Sequence, residues 1–418
     1  MNLLNAKEDR VRQIRQMVDK DHGLIVIGSN IPGKKKNTGY TELLIHYFAR
    51  VTASLFLISK SSELKSEAGN LILLQTNKDR QVKEQLIKLE DSHPLGRFVD
   101  LDYFCEEEKS ISRSELVYPL RKCFLCDKPA FICIREENHS KRVILAHFNK
   151  QTETFFTPQF KDIIKEAVMG ELDLEDKFGL VTPTSRGSHP DMDYTLMKRV
   201  VFALLDDFVR FVWLGMKYSV PKAYQKANKL GLKMEAKMFA ITGGINAYKG
   251  LIFLAGFILV GFGKMLSTAK EWQNLPVIIQ HLSKDILQDL QKATFGEKLI
   301  QEKAIYGARG EVKEGIPTVL VIKNDLEKQG VDEVSLHMAL IKSIGLTHDT
   351  VFIKRSGSWT NYLNFREKIT AITAYDRNRI AEVTKECIAS HISCGGAADI
   401  LIGALLVLGL SKIYPWRG

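Results

Sequence analysis

Apolar positions along the chain follow two different rhythms, one before about residue 150 and one after it. In the first part, helical spacing and strand alternation take turns. Residues 6–20 place Val11, Ile14, Met17 and Val18 on one face of a charged helix. Residues 24–27 make a short apolar strand, 41–54 a helix, 71–75 a strand and 79–89 another helix. The run 96–104, GRFVDLDYF, alternates, and a period of two sets Asp100 and Asp102 on the same face of a strand. A short helix is expected around 114–118. Residues 143–156 read as a connection, and Thr157-Pro158 as the start of a helix over 159–172. From there the pattern is almost wholly helical. A loop at 179–187 precedes a long apolar-striped helix ending near Trp213. Further apolar helices are expected over 251–262 and from about 397, and the stretch 294–318 begins as an amphipathic helix. The pattern therefore predicts a multidomain protein, with an α+β domain over 1–150 and an all-α helical domain over 151–418.

Composition adds limits. At 418 residues, with 45% hydrophobic and 26% charged side chains, the chain has ordinary globular proportions and enough apolar material for sizeable cores. The net charge of +10 raises the question of nucleic acid, but it is spread evenly. Residues 1–150 carry 25 Lys and Arg against 20 Asp and Glu, and the remainder carries 34 against 29. Neither part is a concentrated basic domain and no nucleic-acid motif accompanies the charge, so no nucleic-acid partner is expected. The apolar runs 251–262 and 397–410 are shorter than the ~18–20 residues of a spanning helix, so buried core helices and no membrane partner are expected. With no apolar run near Met1 and six cysteines, reduced thiols in a cytoplasm are expected.

Candidate chemistry sits where glycines interrupt these elements. In 294–318, Arg309 lies among Gly307, Gly310 and Gly315, with carboxylates at Glu297, Glu311 and Glu314. A guanidinium fork and carboxylates in a glycine-punctuated loop suit Mg²⁺ and polyphosphate, the alternative being a solvated corner. Gly243 and Gly244 precede the apolar helix, with Lys249 in its first turn. That arrangement suits a phosphate cradle at a helix N-terminus, or else a tight turn with a snorkelling lysine. A second Gly-Gly turn, Gly395-Gly396, leads to Asp399 in an apolar helix, where a lone carboxylate needs a cation or several donors. Asp191 and Asp193 open the long helix, where capping explains one of them well. Nearer the N-terminus, a strand feeds SNIPGKKK with Lys36, and the Asp100–Asp102 pair invites a divalent cation. Cys123, Cys126, Cys133 and His139 are three thiols and an imidazole, a candidate zinc set or simply buried small side chains.

SNIPGKKK, GRFVDLDYF, ISRSEL and RKCFLCDKPAFICIREENHS together resemble holo-citrate lyase synthase over about residues 8–142. The resemblance implies an α+β domain of nucleotidyltransferase type that attaches a phosphoribosyl-dephospho-coenzyme A arm to the acyl carrier protein subunit of citrate lyase. It retains Lys36, Asp100, Asp102, Arg113 and Arg121, while Lys34 and Leu120 stand where the family commonly has proline. SHPDMD, GGINAYKG, TFGEKLIQEKAIYGARGE with GIP, HDT with KR, and CGGAADIL resemble triphosphoribosyl-dephospho-coenzyme A synthase over about 160–415. Here Ala247-Tyr248 replaces a common Thr-His, and Val351 a common Asn. The two resemblances imply a fusion that uses ATP, 3′-dephospho-coenzyme A and Mg²⁺ and then loads the carrier protein. In that reading Asp100 and Asp102 hold Mg²⁺ in the first domain, with Arg113, Arg121 and Lys36 on phosphates. Asp191, Glu297, Asp349 and Asp399 are metal candidates in the second. Lys249, Arg309 and the glycines 243, 244, 395 and 396 face the triphosphate, and Glu311 is the candidate base. The rivals are the same chemistry serving malonate decarboxylase, and a non-catalytic factor that only docks the carrier protein.

Overall fold

The computed structural model describes residues 3–18, 21–105, 110–284, 286 and 307–416. The chain divides into two compact units: Met1–Pro158 with Leu266–Lys270 and Lys412–Gly418, and Gln159–Met265 with Glu271–Ser411.

The first unit is built on a four-stranded antiparallel sheet, β1 (His22–Ser29), β2 (Ile58–Leu64), β3 (Leu71–Asn77) and β4 (Val99–Phe104), in the order β2-β3-β1-β4. Helix α1 (Leu3–Met17) covers one face, where Ile14 packs with Val18, Leu24, Val26, Leu64, Leu71 and Leu73. Helices α2 (Gly39–Leu55) and α3 (Gln81–Ser92) also pack on the sheet. The register sets Asp102 opposite Val26 and Asp100 opposite Gly28, so both aspartates share the α1-facing side of the edge strand β4. That is the placement expected from the alternation. Strand β2 had no expected counterpart: its sequence ISKSSEL is the polar outer edge of the sheet. Around 114–118 the chain makes a turn in place of the expected helix, and a short helix α4 (Ala130–Arg135) follows.

The expected connection over 143–156 is instead helical. Helix α5 (Lys141–Leu172) is continuous and carries Pro158 inside it. Proline removes one backbone donor and so weakens a helix, but Phe148, Phe156 and Phe160 anchor this one through buried rings on both sides of the proline.

Among its described residues the second unit is built of helices joined by loops, with no strand. Its helices are α6 (Tyr194–Lys217), α7 (Val220–Thr242), α8 (Lys249–Ser267), α9 (Leu275–Leu282), α10 (Gly307–Lys313), α11 (Pro317–Gln329), α12 (Glu333–Leu346), α13 (Thr350–Ser356), α14 (Trp359–Thr370), α15 (Arg377–Ala389) and α16 (Gly395–Ser411). Helices α6 and α8 touch backbone to backbone. A Cβ at Gly215 would stand 2.1 Å from the Val260 carbonyl, and one at Gly263 2.1 Å from that of Val212. Helix α8 is longer than expected, at 19 residues. By length and composition alone it is apolar enough to span a membrane, yet 72% of its apolar window is buried inside the protein.

Candidate active sites

In the first unit, charged groups gather around β4. Because β4 is an edge strand, the backbone groups of Leu101 that point away from β1 need partners. Two side chains of α3 supply them: Glu90 accepts the Leu101 N–H at 2.9 Å, and Lys83 donates to the Leu101 carbonyl at 2.6 Å. Lys83 Nζ also lies 3.9 Å from Asp102. Arg121 bridges Asp100 at 3.0 Å and Glu90, while Arg113 reaches Glu90 at 3.1 Å and forks onto Asp91 at 2.7 and 2.9 Å. With its amide oxygen turned toward the guanidiniums, Asn30 accepts from Arg97 at 2.9 Å and Arg121 at 3.1 Å. Thus SNIPG, GRFVDLDYF, ISR and the arginine before the cysteines meet at one place.

Two acids stand side by side there among cationic side chains. Surrounding protein, and then the charge of Asp100, push Asp102 up to about 6 despite Lys83 and Arg121. Both aspartate side chains keep more than two fifths of their surface exposed, so an incoming ion can reach them. Arg10 of α1 feels both charges as well. Lys36 does not point a free ammonium into this cluster; its Nζ donates to the Ile31 carbonyl, and burial lowers its pKa. Nearby, Cys123, Cys126, Cys133 and His139 offer ligand atoms that all lie within 4.8 Å of one another.

In the second unit the glycine motifs meet at three helix N-termini. Asp349 caps two of them. Its Oδ1 accepts from Val351 (2.8 Å) and Phe352 (3.1 Å) at the start of α13, and its Oδ2 from Gly396 (2.7 Å) and Ala397 (3.1 Å) at the start of α16. Four N–H donors occupy both oxygens, so Asp349 serves as a double helix cap. Gly396 must lack a side chain for this, since a Cβ would stand 2.8 Å from the Asp349 carboxyl. One turn along α16, Asp399 Oδ2 lies against α8, where a Cβ at Gly250 would come within 2.1 Å of it. Among the described residues no hydrogen bond or ion pair reaches Asp399. Burial, followed by Asp349 and Glu171, raises its pKa well above the usual carboxylate range. Beside it the Tyr248 hydroxyl is buried and has no partner among the described residues.

A second knot was not anticipated from the sequence. Arg355 Nη2 donates to His189 Nδ1 at 2.8 Å, which leaves the proton on Nε2, 2.9 Å from Ser393 Oγ. Burial and then Arg355 depress His189 to about 4, so the ring is neutral. Arg355 also holds the Ser188 carbonyl at 3.0 Å. These residues come from three of the motifs, and Asp191 lies exposed beside them.

Other expected residues stand elsewhere. Asp193 is the N-cap of α6, accepting from Leu196 at 2.8 Å, whereas Asp191 precedes the helix. Gly243 and Gly244, at φ 70° and 96°, close the end of α7. Lys249 pairs with Glu235 of α7 at 2.9 Å. Glu311 is buried and accepts from Val319 N–H at 2.9 Å at the start of α11, so its carboxyl acts as a cap there. Arg309 lies in α10. Glu297, and the stretch around it, lie outside the described residues.

Comparison with known proteins separates the same two parts. Residues 1–155 match the family described as apo-citrate lyase phosphoribosyl-dephospho-CoA transferase, and residues 158–418 the family described as ATP:dephospho-CoA triphosphoribosyl transferase. Over nearly its whole length the chain is similar to Protein CitXG of Leuconostoc mesenteroides subsp. cremoris, at 29% identity over 96% of this chain and 95% of that one. Protein CitXG of Haemophilus influenzae is 26% identical over 98% and 95%. The 2-(5''-triphosphoribosyl)-3'-dephosphocoenzyme-A synthase of Haemophilus ducreyi is 28% identical over 69% of this chain and all of its own length.

Proposed function

The chain belongs to the ATP:dephospho-CoA triphosphoribosyl transferase family through residues 158–418 and carries an apo-citrate lyase phosphoribosyl-dephospho-CoA transferase domain over 1–155, and from this premise we propose a bifunctional enzyme that builds the citrate lyase prosthetic group and attaches it. The observation that carries the reading is the presence of both families in one chain, in the same order as in relatives that align end to end.

In the second unit the 2′-hydroxyl of 3′-dephospho-coenzyme A attacks C1 of the ATP ribose. The N-glycosidic bond breaks, adenine leaves, and the triphosphate stays on the new sugar. Asp399 is the carboxyl best suited to hold Mg²⁺ there, because it is unpartnered among the described residues and crowded by other acids. Bound Mg²⁺ would supply charge neutralisation for the triphosphate. Asp191 and Glu297 remain candidate ligands, and Lys249 and Arg309 candidate phosphate contacts. Lys249 must leave Glu235 to reach a phosphate. Neutral His189, fixed by Arg355 as the Nε2–H tautomer, is added as an orienting group, while the base remains proposed as Glu311.

In the first unit a carrier serine hydroxyl attacks the α-phosphorus of the triphosphoribosyl donor. The α–β phosphoanhydride bond breaks, pyrophosphate leaves, and the serine proton passes to a base, a transfer of nucleotidyltransferase type. Asp100 and Asp102 would hold Mg²⁺ for neutralising the departing pyrophosphate. Arg121 and Arg113 offer guanidinium forks to phosphate oxygens, supported by Arg97 and, at the loop, Lys36. The cysteine–histidine cluster is assigned to zinc, and a cytoplasmic setting fits both substrates and thiols. Incubation with ATP, dephospho-coenzyme A and Mg²⁺ tests the first step by free adenine. Adding apo carrier subunits of citrate lyase and of malonate decarboxylase tests the second by mass. No adenine under any condition would leave only a docking role.

A further inference from the structure

Resting on the zinc assignment, we propose that the Cys123–Cys126–Cys133–His139 cluster is a structural zinc staple that holds Arg121 and Arg97 in place for the donor's phosphates, so that zinc loading governs the carrier-modifying step and not adenine release. The four ligand atoms fit one ion. Cys126 Sγ lies 3.4 Å from Cys133 Sγ and 3.4 Å from His139 Nε2. A tetrahedral zinc with ~2.3 Å Zn–S bonds sets its sulfurs about 3.8 Å apart, within the spread seen here. Four protein ligands close the coordination sphere, which is the pattern of a structural site.

Beyond the ion pairs of Arg121 and the stacking of Phe124 on Phe98, the segment that carries them has few anchors of its own. It consists of a tight turn and a six-residue helix. The turn is closed by Cys123 N–H to the Lys128 carbonyl at 2.8 Å, and by Ala130 N–H to the Arg121 carbonyl at 2.9 Å. Helix α4 delivers Cys133, and the next turn delivers His139, with Asn138 N–H bonded to the Cys133 carbonyl at 3.1 Å. Few apolar side chains are buried here, so the energy that fixes the segment falls to its ligands.

That segment is also the support of the phosphate-facing arginines. Arg121 stands two residues before Cys123. Arg97 donates to the Lys122 carbonyl and lies 4.3 Å over the ring of Phe124, which stacks on Phe98 at 5.5 Å. The Asn30 oxygen ties Arg97 and Arg121 together. Loosening residues 121–124 therefore frees Arg121 from Asp100 and Asn30 and takes from Arg97 its contacts with Lys122 and Phe124. Arg121 and Arg97 are the groups that meet phosphate; the zinc ligands are positioning residues.

The test uses the full-length protein. Metal analysis of the purified chain should find about one zinc per chain. Chelation of the wild type, and separately Cys126→Ser, should remove it and raise KM for a supplied triphosphoribosyl donor about tenfold. With Mg²⁺ resupplied after chelation, adenine release should stay unchanged, and zinc added back to the chelated wild type should restore KM. An active chain that purifies without zinc, or with a Cys126–Cys133 disulfide, overturns the zinc assignment itself. Zinc that is present but whose removal leaves KM for the donor unchanged overturns the positioning role alone. Adenine release falling in step with carrier loading also overturns it, since the loss would then be general. Should Cys126→Ser fail to fold, the chelation and restoration of the wild type still decide between these outcomes.

Discussion

Asp349 and Asp399 both stand near the N-terminus of α16 and look equally suited to a metal in the sequence, but the structure surrounds their carboxyls differently. Replacing Asp349 with alanine strips the acceptor from four backbone N–H groups at two helix N-termini. Losing one such cap costs about 1 kcal/mol, and up to about 2 in favourable sites, so two caps correspond to about 2–4 kcal/mol. For a domain of this size each kcal/mol moves Tm by about 2–4 °C, which predicts a fall of roughly 4–16 °C in the transition of the second unit. Among the described residues Asp399 has no such partners. Its carboxyl is half-buried, and that burial, then crowding by Asp349 and Glu171, raises its pKa, so Asp399→Asn removes an unfavourable ionisation and should hold or raise Tm while abolishing adenine release. The assay is differential scanning calorimetry in chelator, paired with adenine release in Mg²⁺. An Asp349→Ala protein with unchanged Tm and lost activity would refute the capping argument. An Asp399→Asn protein that releases adenine normally would remove that carboxyl from the site.

Three further outcomes follow from the same geometry. The double variant Asp100→Asn with Asp102→Asn should still release adenine but leave the carrier serine unmodified, with the triphosphoribosyl intermediate accumulating by mass spectrometry; surviving carrier loading would return both aspartates to ordinary strand residues. Lys249→Met should weaken ATP use strongly while carrier loading from a supplied donor continues, and near-normal adenine release would show that Lys249 serves only Glu235. His189 has a depressed folded pKa, about 4 against an ordinary 6.5, so its contribution to stability is present above 6.5 and lost as pH falls through 4. Two and a half units correspond to about 3 kcal/mol at most, and urea unfolding between pH 7 and 4 should show a shallower pH slope in His189→Gln than in the wild type.

What was legible depended on whether a signal was local. The alternation of VDLDYF was sufficient to put Asp100 and Asp102 side by side, because period two is a property of the strand itself. Strand β2 was not legible, since ISKSSEL lies at the sheet edge with one polar side and owes its place to pairing with β3. The proline rule misplaced the start of α5, because buried phenylalanines on both sides of Pro158 override one missing hydrogen bond. The His189–Arg355–Ser393 knot joins positions 166 and 204 residues apart, and no pattern of spacing reports such a meeting. Asp349 was different: an aspartate directly before Thr350 at a helix start is itself a capping signal, and it could have been read as one.

In the proposed reading the two sites would handle phosphate charge by different means, and this bears on why their motifs look unlike. Around β4 the arginines are already paired, Arg113 with Glu90 and Asp91, Arg121 with Glu90 and Asp100. A phosphate arriving there exchanges one anion for another, while the cluster keeps its shape because Glu90 and Lys83 also close the strand edge. In the helical unit the starts of α13 and α16 share the Asp349 cap, and the start of α8 approaches Asp399, a carboxyl without a partner among the described residues. Glycines are needed there because backbone and carboxylate approach so closely: a Cβ at Gly250 or Gly396 would collide with Asp399 or Asp349. Gly250→Ala should accordingly displace Asp399 and depress adenine release with little effect on carrier loading. An alanine variant that releases adenine at the wild-type rate would mean that the close approach of α8 to α16 serves packing alone.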